Sequence, residues 1–345
     1  MKYLFLTLIF LFSIQFSKAQ TKKYKIATIA FYNLENLYDT IDDPLKNDDE
    51  FTPNGKKKYS ASVYFDKLQK LSTVISEIAT EVTPDGAAIL GVAEIENRNV
   101  LEDLCKTEKL KNRNYKVVHY DSPDERGVDV ALLYNPKYFK LLASKPITLS
   151  TFHLGGDRPT RDILWVTGLL DGDTVQLFVN HWPSRGGGEE LTAPFRNEGS
   201  RICKHYIDSL VNINANAKCI IMGDLNDNPT NPSCSKIVNA VSNPDKLKTQ
   251  KQMFNPWLNY YKKGLGTLAY QDVWSLFDQL ILSYGFVKSD KGYVFKQAII
   301  YSKPYMISNT GRFKGYPFRT FDFDNYNGGY SDHFPTYIIL LKELE

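Results

Sequence analysis

Cysteine is scarce in this chain, and neither sign of charge dominates it. The four cysteines among 345 residues, Cys105, Cys203, Cys219 and Cys234, form no CxxC pair and lack zinc spacing. That excludes a thiol redox centre and a structural zinc module. Cys105 and Cys203 fall in helical patterns and Cys219 opens an apolar strand, so buried, unpaired thiols are expected even though export would permit disulfides. The 42 basic and 39 acidic residues leave a net charge of +3. This balance does not declare a polyanionic partner, although a local basic groove is compatible with it. No internal repeat and no Pro/Ser-rich linker divides the chain.

What is present begins with a targeting segment. Lys2 supplies a positive start, Leu4 to Phe16 is an almost unbroken apolar run, and Ser17-Lys18-Ala19 offers a small-x-small cleavage signal. The run is short for a bilayer span, and residues 1–19 read as a cleavable signal peptide. No cysteine follows it, which argues against a lipoprotein. The mature chain, 20–345, is expected to be one domain without a transmembrane segment, released to the periplasm or the medium. Its 43% apolar and 13% aromatic content supports a substantial core.

Strand-like and helical runs alternate. Tyr24 to Phe31, Ala87 to Ala93, Val128 to Tyr134, Ile163 to Leu170, Val175 to Asn180, Cys219 to Met222, Leu276 to Leu282, Tyr293 to Ile300 and Tyr337 to Leu340 read as strands. Val63, Leu68, Leu71, Val74, Ile75 and Ile78 recur at helical spacing. Glu189 to Val211 reads as a helix with Phe195, Ile202, Tyr206 and Leu210 on one stripe. Many antiparallel-type strands with a few long helices imply sheets packed together and flanked by helices. Asp39 to Lys58 is polar and Pro/Gly-punctuated, a surface loop without the spacing of a calcium site.

The ends of these strands carry the chemistry. Gly223-Asp224-Leu225-Asn226 follows one apolar strand, and Ser331-Asp332-His333 precedes the last. Asn33, Glu94 and His181 each stand at a strand end, and Asp278 lies inside an apolar strand, where an unpaired carboxylate would be costly. Oxygen ligands of this kind suit Mg²⁺, Mn²⁺ or Ca²⁺, and a histidine beside a carboxylate can exchange a proton near neutral pH.

The peptides FYNLEN, GVAEIENR, NHWPSRGGG, GDLNDNP, FDQLILS and SDHFP occur in an order that resembles the endonuclease/exonuclease/phosphatase superfamily. NHWPSRGGG with GGYSDHFP is similar to its secreted, nuclease-like bacterial members. The resemblance implies an α/β fold, a four-layer α/β sandwich of two mixed, mainly antiparallel sheets face to face with helices outside. It implies a metal-dependent phosphodiester hydrolase with a divalent cation, Mg²⁺ first and Mn²⁺ or Ca²⁺ as alternatives. It assigns Glu94, Asn33 and Asp332 to the metal. His181, Asp224, Asn226, Asp278 and His333 would be catalytic, with Asp278 orienting His333, and Asp224 or the His333–Asp278 pair removing a proton from water. Arg161 and Arg185 are candidate phosphate contacts, Asp129 a candidate orienter of His181, and Arg126 either a phosphate contact or a surface charge.

Other residues read as ordinary structure. Glu35 and Asp227 are expected at the periphery, and His119, His153 and His205 on the surface or on helices. Phe318, Phe321, Phe323 and Tyr326 are expected to pack a long loop, to which Arg312, Lys314 and Arg319 add positive charge. The expected substrate is nucleic acid, DNA or RNA, cut internally by a monomer with no stable protein partner. The competing readings are a phospholipid or small-molecule phosphatase and a noncatalytic binding module on the same fold. A membrane-acting enzyme would need an exposed apolar hairpin, for which Asn255 to Tyr261 is an aromatic candidate. The intact set of polar residues favours an enzyme.

Overall fold

The computed structural model describes residues 22–344; the signal segment at 1–19 lies outside the described residues. In chain order the strands are β1 (Lys23–Leu37), β2 (Ile89–Ile95), β3 (Lys116–His119), β4 (Asp129–Tyr134), β5 (Phe139–Ile147), β6 (Ile163–Leu170), β7 (Asp173–His181) and β8 (Lys218–Asp224). They continue with β9 (Ala240–Val241), β10 (Met253–Phe254), β11 (Leu268–Tyr270), β12 (Val273–Ser275), β13 (Asp278–Ser283), β14 (Val294–Ile300), β15 (Phe321–Asp322), β16 (Asn325–Tyr326) and β17 (Thr336–Leu344). The long helices are α1 (Ala61–Glu77), α2 (Arg98–Lys106) and α3 (Glu189–Ile213).

Two large mixed sheets result. One has six strands in the order β14-β17-β1-β2-β4-β3, the other seven in the order β5-β6-β7-β8-β13-β10-β9. β1 with β2 and β7 with β8 run parallel, whereas β17 with β1 and β8 with β13 run antiparallel.

The period-2 alternation of the strands decides the layers. On β1, Ala27, Ile29 and Phe31 enter the core between the sheets, while Ala30, Tyr32 and Leu34 face α1 and α2. On β8, Ile220 and Met222 enter the same central core, and Cys219 and Ile221 face α3. Both faces of these strands are therefore covered, which is why they read as continuous apolar runs. Helices, two sheets and helix form the four-layer sandwich. The sheets approach closely at Gly91, where a Cβ would stand 2.7 Å from Met222 Sδ. The buried face of α3 is Cys203, Ile207 and Val211, one residue beyond the expected stripe, with Ile202, Tyr206 and Leu210 packed at its margin.

Strand polarity sets the site. β1, β2, β7 and β8 end at one rim, and β13 and β17 begin there. At the opposite rim Asp173 binds Lys218 at 3.0 Å and Lys342 at 2.9 Å, tying the second sheet to the first.

Candidate active site

Adjacent strands place three site residues in one row. His181 on β7 pairs in register with Asp224 on β8, which pairs in turn with Asp278 on β13. From the other sheet Asn33 donates to Asp224 Oδ2 at 3.0 Å and to Glu94 Oε1 at 3.2 Å. Glu94 sits at a bulge in β2, at φ 60°, and the Asn36 amide donates to its Oε2 at 3.0 Å. Bulges and left-handed residues re-aim side chains at a price in backbone strain, and Asn226, at φ 48°, is another here.

The loop before β17 adds the last members. Ser331 Oγ donates to the Asn33 carbonyl at 2.8 Å and accepts from the His333 amide at 3.1 Å, pinning the loop to β1. His333 Nδ1 lies 2.8 Å from Asp278 Oδ2, and its Nε2 lies 3.8 Å from Asp224 Oδ2 and 3.9 Å from Asp332 Oδ1. His181 Nε2 lies 3.7 Å from Glu94 Oε1 and 3.8 Å from Asp224 Oδ2. Asp224 Oδ2 thus faces both imidazoles and the Asn33 amide.

The electrostatics follow. Burial, reinforced by Asp278 and Glu94 against the pull of His333, raises the Asp224 carboxyl to about 7. Burial works against a charged His333, but Asp278, Asp224 and Asp332 outweigh it and hold that imidazole well above its ordinary value. Burial, with Arg161, Arg126 and His333 adding to it, holds His181 well below its ordinary value. His181 Nδ1 has no partner. An unmatched lone pair is easier to bury than an unmatched N–H, so the neutral ring carries its proton on Nε2, facing the site.

A divalent cation fits this donor set. Carboxylate oxygens of Glu94 and Asp224 converge beside the His181 ring, and those of Asp224 and Asp278 beside the His333 ring. Four carboxylates, counting Asp332, gather at this rim, and the Arg319 guanidinium donates to Asp332 at 3.1 Å. Glu94, with Asp332 at the rim, would hold the ion, oxygen donors being those a hard cation prefers. Asn33 Oδ1 accepts from the Glu35 amide at 2.9 Å, and its NH₂ group bridges Glu94 and Asp224.

Three of the softer assignments are corrected. Asp129 does not orient His181: its Oδ2 lies 2.9 Å from His119 Nε2 and its Oδ1 accepts from the Ser122 amide. His119 is accordingly buried rather than an ordinary surface residue. Arg161 is no free phosphate ligand. It donates to the carbonyls of His181 at 3.2 Å and Trp182 at 2.8 Å and to Asp124 at 3.1 Å, bracing the end of β7 from behind. Arg185 is fixed in the wall, donating to the Asn226 carbonyl, Glu189, Asp227 and Asn231 and covering the Phe277 ring. Asn226 spends one amide hydrogen on the Trp182 carbonyl at 2.9 Å, with its own amide on Asp224 Oδ1 at 3.0 Å.

The aromatic segment Asn255 to Tyr261 is no lip, since Trp257 is wholly buried. Glu35 is buried against the Thr320 and Phe321 amides, and burial first, then Asp332, raises it to about 7. Sequence reading missed Asp124, the buried hub between Arg161 and Arg126; the only local signal was its place in the turn before β4. The indole of Trp182 donates to Asn180 Oδ1 at 2.8 Å and rests on Gly199 of α3, where a Cβ would come within 2.7 Å.

The family model for the endonuclease/exonuclease/phosphatase family matches residues 28–342. The chain belongs to that family, and its fold is that of a phosphodiesterase/phosphatase, with candidate acidic metal-binding groups. Similar solved structures include an endonuclease/exonuclease/phosphatase family protein from Bacteroides thetaiotaomicron, 16% identical over 94% of this chain and 98% of that chain, with a TM-score of 0.56. A humanized TDP2 from D. rerio is 13% identical over 91% and 98%, with a TM-score of 0.55. A mannosyl-6-phosphatase from B. thetaiotaomicron is 16% identical over 91% and 99%, with a TM-score of 0.54. No curated protein matches closely enough to count as a relative. Among the described residues no helix is long and apolar enough to cross a membrane.

Proposed function

We propose that this protein is an exported, divalent-cation-dependent nuclease that cleaves internal phosphodiesters of DNA or RNA. The observation that carries the reading is Asp224 Oδ2, set 3.8 Å from each of two imidazole Nε2 atoms and 3.0 Å from the Asn33 amide. A D. rerio TDP2 has been solved with a single strand DNA product, which supports nucleic acid as the substrate.

A bound divalent cation, Mg²⁺ by the oxygen-rich donor set, would supply charge neutralisation on the phosphate and the leaving oxygen. The remaining work belongs to side chains. Asp224 accepts a proton from the attacking water, its carboxylate aligned by the Asn226 amide and by Asn33. His333, kept cationic by Asp278, and the Nε2–H of His181 donate to phosphoryl oxygens as they gain charge. Asn226 has a second amide hydrogen for the same purpose.

A substrate panel tests this with the purified mature chain: supercoiled plasmid, linear DNA, RNA, sphingomyelin and a phosphomonoester, each with Mg²⁺, Mn²⁺, Ca²⁺ or chelator. Nicking of plasmid with Mg²⁺ and silence with chelator is expected. Turnover confined to the phosphomonoester would replace the reading with a small-molecule phosphatase, the activity named for the similar mannosyl-6-phosphatase. Export is tested by recovering the processed chain, beginning near Gln20, from periplasm or medium.

A further inference from the structure

Beyond the hydrolytic centre, a ladder of alternating charge and ring planes leads away from Asp332. Arg319 donates to Asp332 Oδ2 at 3.1 Å and lies over the Phe313 ring at 4.8 Å. Arg312 covers the same ring at 4.5 Å and the Phe323 ring at 4.9 Å. Stacked cations and rings hold one another in fixed planes. The ladder ends in solvent, with Phe323 exposed to 72%.

Phe323 is out of place by the ordinary rules. It opens the two-residue turn between β15 and β16 with φ at +53°, a position that favours glycine and strains a bulky side chain. Its companions behave as loop packing should: Phe321 is buried, Tyr326 packs edge-on against Phe321, and Phe318 lies against Tyr330. Backbone preference does not ask for an aromatic at 323, and the ring is stacked on Arg312 rather than buried in the core. Such strain together with such exposure points to use.

We propose that this ladder is a binding lip for single-stranded nucleic acid. Phe323 stacks a base beyond the nucleotide at the scissile phosphate, Arg312 fixes the ring from behind, and Arg319 turns its remaining N–H donors to a phosphate in between. The proposal rests on the hydrolase reading above and adds to it the kind of strand the site takes. Lys57, donating to the Phe323 carbonyl at 2.9 Å, steadies the turn. A lipid surface fits less well, because the ring is ringed by ion pairs, Arg312 with Asp322 and Lys57 with Asp324, rather than by apolar neighbours.

Two measurements test the lip. The first compares kcat/KM for a single-stranded oligonucleotide with that for bis(p-nitrophenyl) phosphate in the wild type, Phe323→Ala and Phe323→Trp. Stacking of one base is worth about tenfold in affinity, so the ratio should fall roughly tenfold in Phe323→Ala and recover in Phe323→Trp. The second follows polarisation of a labelled oligonucleotide on His333→Ala, which suppresses cleavage, with and without Phe323→Ala. A dissociation constant about tenfold weaker with Phe323→Ala is expected. An unchanged ratio and unchanged binding overturn the lip, as does Phe323-dependent co-sedimentation with phosphatidylserine vesicles without an oligonucleotide effect. If the wild type cleaves the small diester but neither cleaves nor binds the oligonucleotide, the lip fails and the hydrolase stands. If it cleaves neither substrate, the hydrolase reading fails, and the binding measurement still decides the lip.

Discussion

Asp224 and Asp278 stand directly opposite each other on β8 and β13, two buried carboxylates in one cross-strand pair. Like charges so placed repel. His333 resolves the conflict by lying between them, Nδ1 at 2.8 Å from Asp278 and Nε2 at 3.8 Å from Asp224. The carboxylate pair and the imidazole are one unit, with consequences for activity.

Asp278→Asn keeps the shape of the side chain and removes the charge that holds His333 cationic and in register. Turnover on any substrate of the wild type should fall at least about a hundredfold while the far-UV circular dichroism stays native. Because the two residues act together, His333→Ala/Asp278→Asn should be scarcely slower than His333→Ala alone. Losses that multiply in the double variant would break the assignment.

Asp129 predicts the opposite pattern. It anchors His119 and the Ser122 amide away from the imidazole of His181. Asp129→Ala leaves a buried imidazole and a buried amide short of a partner, at a cost of about 1–3 kcal/mol. Thermal melting should drop by several degrees with kcat within a few-fold of wild type. A large loss of kcat at unchanged stability would restore the link to His181.

How much of this was legible before folding differs by residue, for a physical reason. Asn33, Glu94, Asp224, Asp278 and His333 each interrupt or end an apolar run, and a polar group there must find partners or water, so the peptide itself flags them. Ile163 to Leu170 coincides with β6, since its apolar run and turn boundaries are local. The roles of Arg161, Arg185 and Asp129 are set by what other segments bring near. The carbonyls of His181 and Trp182, which occupy Arg161, come from a neighbouring turn. Phe323 shares a composition with its buried neighbours and differs only in its backbone angle. Short strands such as β9 and β10, two residues each, leave too little pattern to see.

The thiols give a prediction about chemistry that should not occur. All four cysteines are free, and burial pushes Cys105, Cys219 and Cys234 up to about 12, with Cys203 raised further. Thiolate is scarce in the native state, and the thiol is the unreactive form. Iodoacetamide at pH 8 should label the folded protein very slowly, beginning with the partly exposed Cys105, and all four sites should react in denaturant. Dithiothreitol should leave the melting temperature unchanged. A reductant-dependent drop would reveal a disulfide.

The rim opposite the active site contributes to the response to acid. Burial favours a neutral Asp173, but Lys342, the Tyr293 amide and Lys218 overcome it and depress the carboxyl below its ordinary range. A depressed folded-state value means that the unfolded chain takes up the proton more readily, so Asp173 contributes stability above the unfolded carboxylate value, near 4. The contribution disappears as pH falls through the lower folded value. Asp173→Asn should therefore melt below wild type at pH 7, and the gap should narrow steadily from about pH 4 downward. Since this cluster joins the two sheets at the end remote from Asp224, turnover at pH 7 and at temperatures below melting should be unaffected. A gap independent of pH would mean that packing at Asp173, rather than its charge, ties the sheets together.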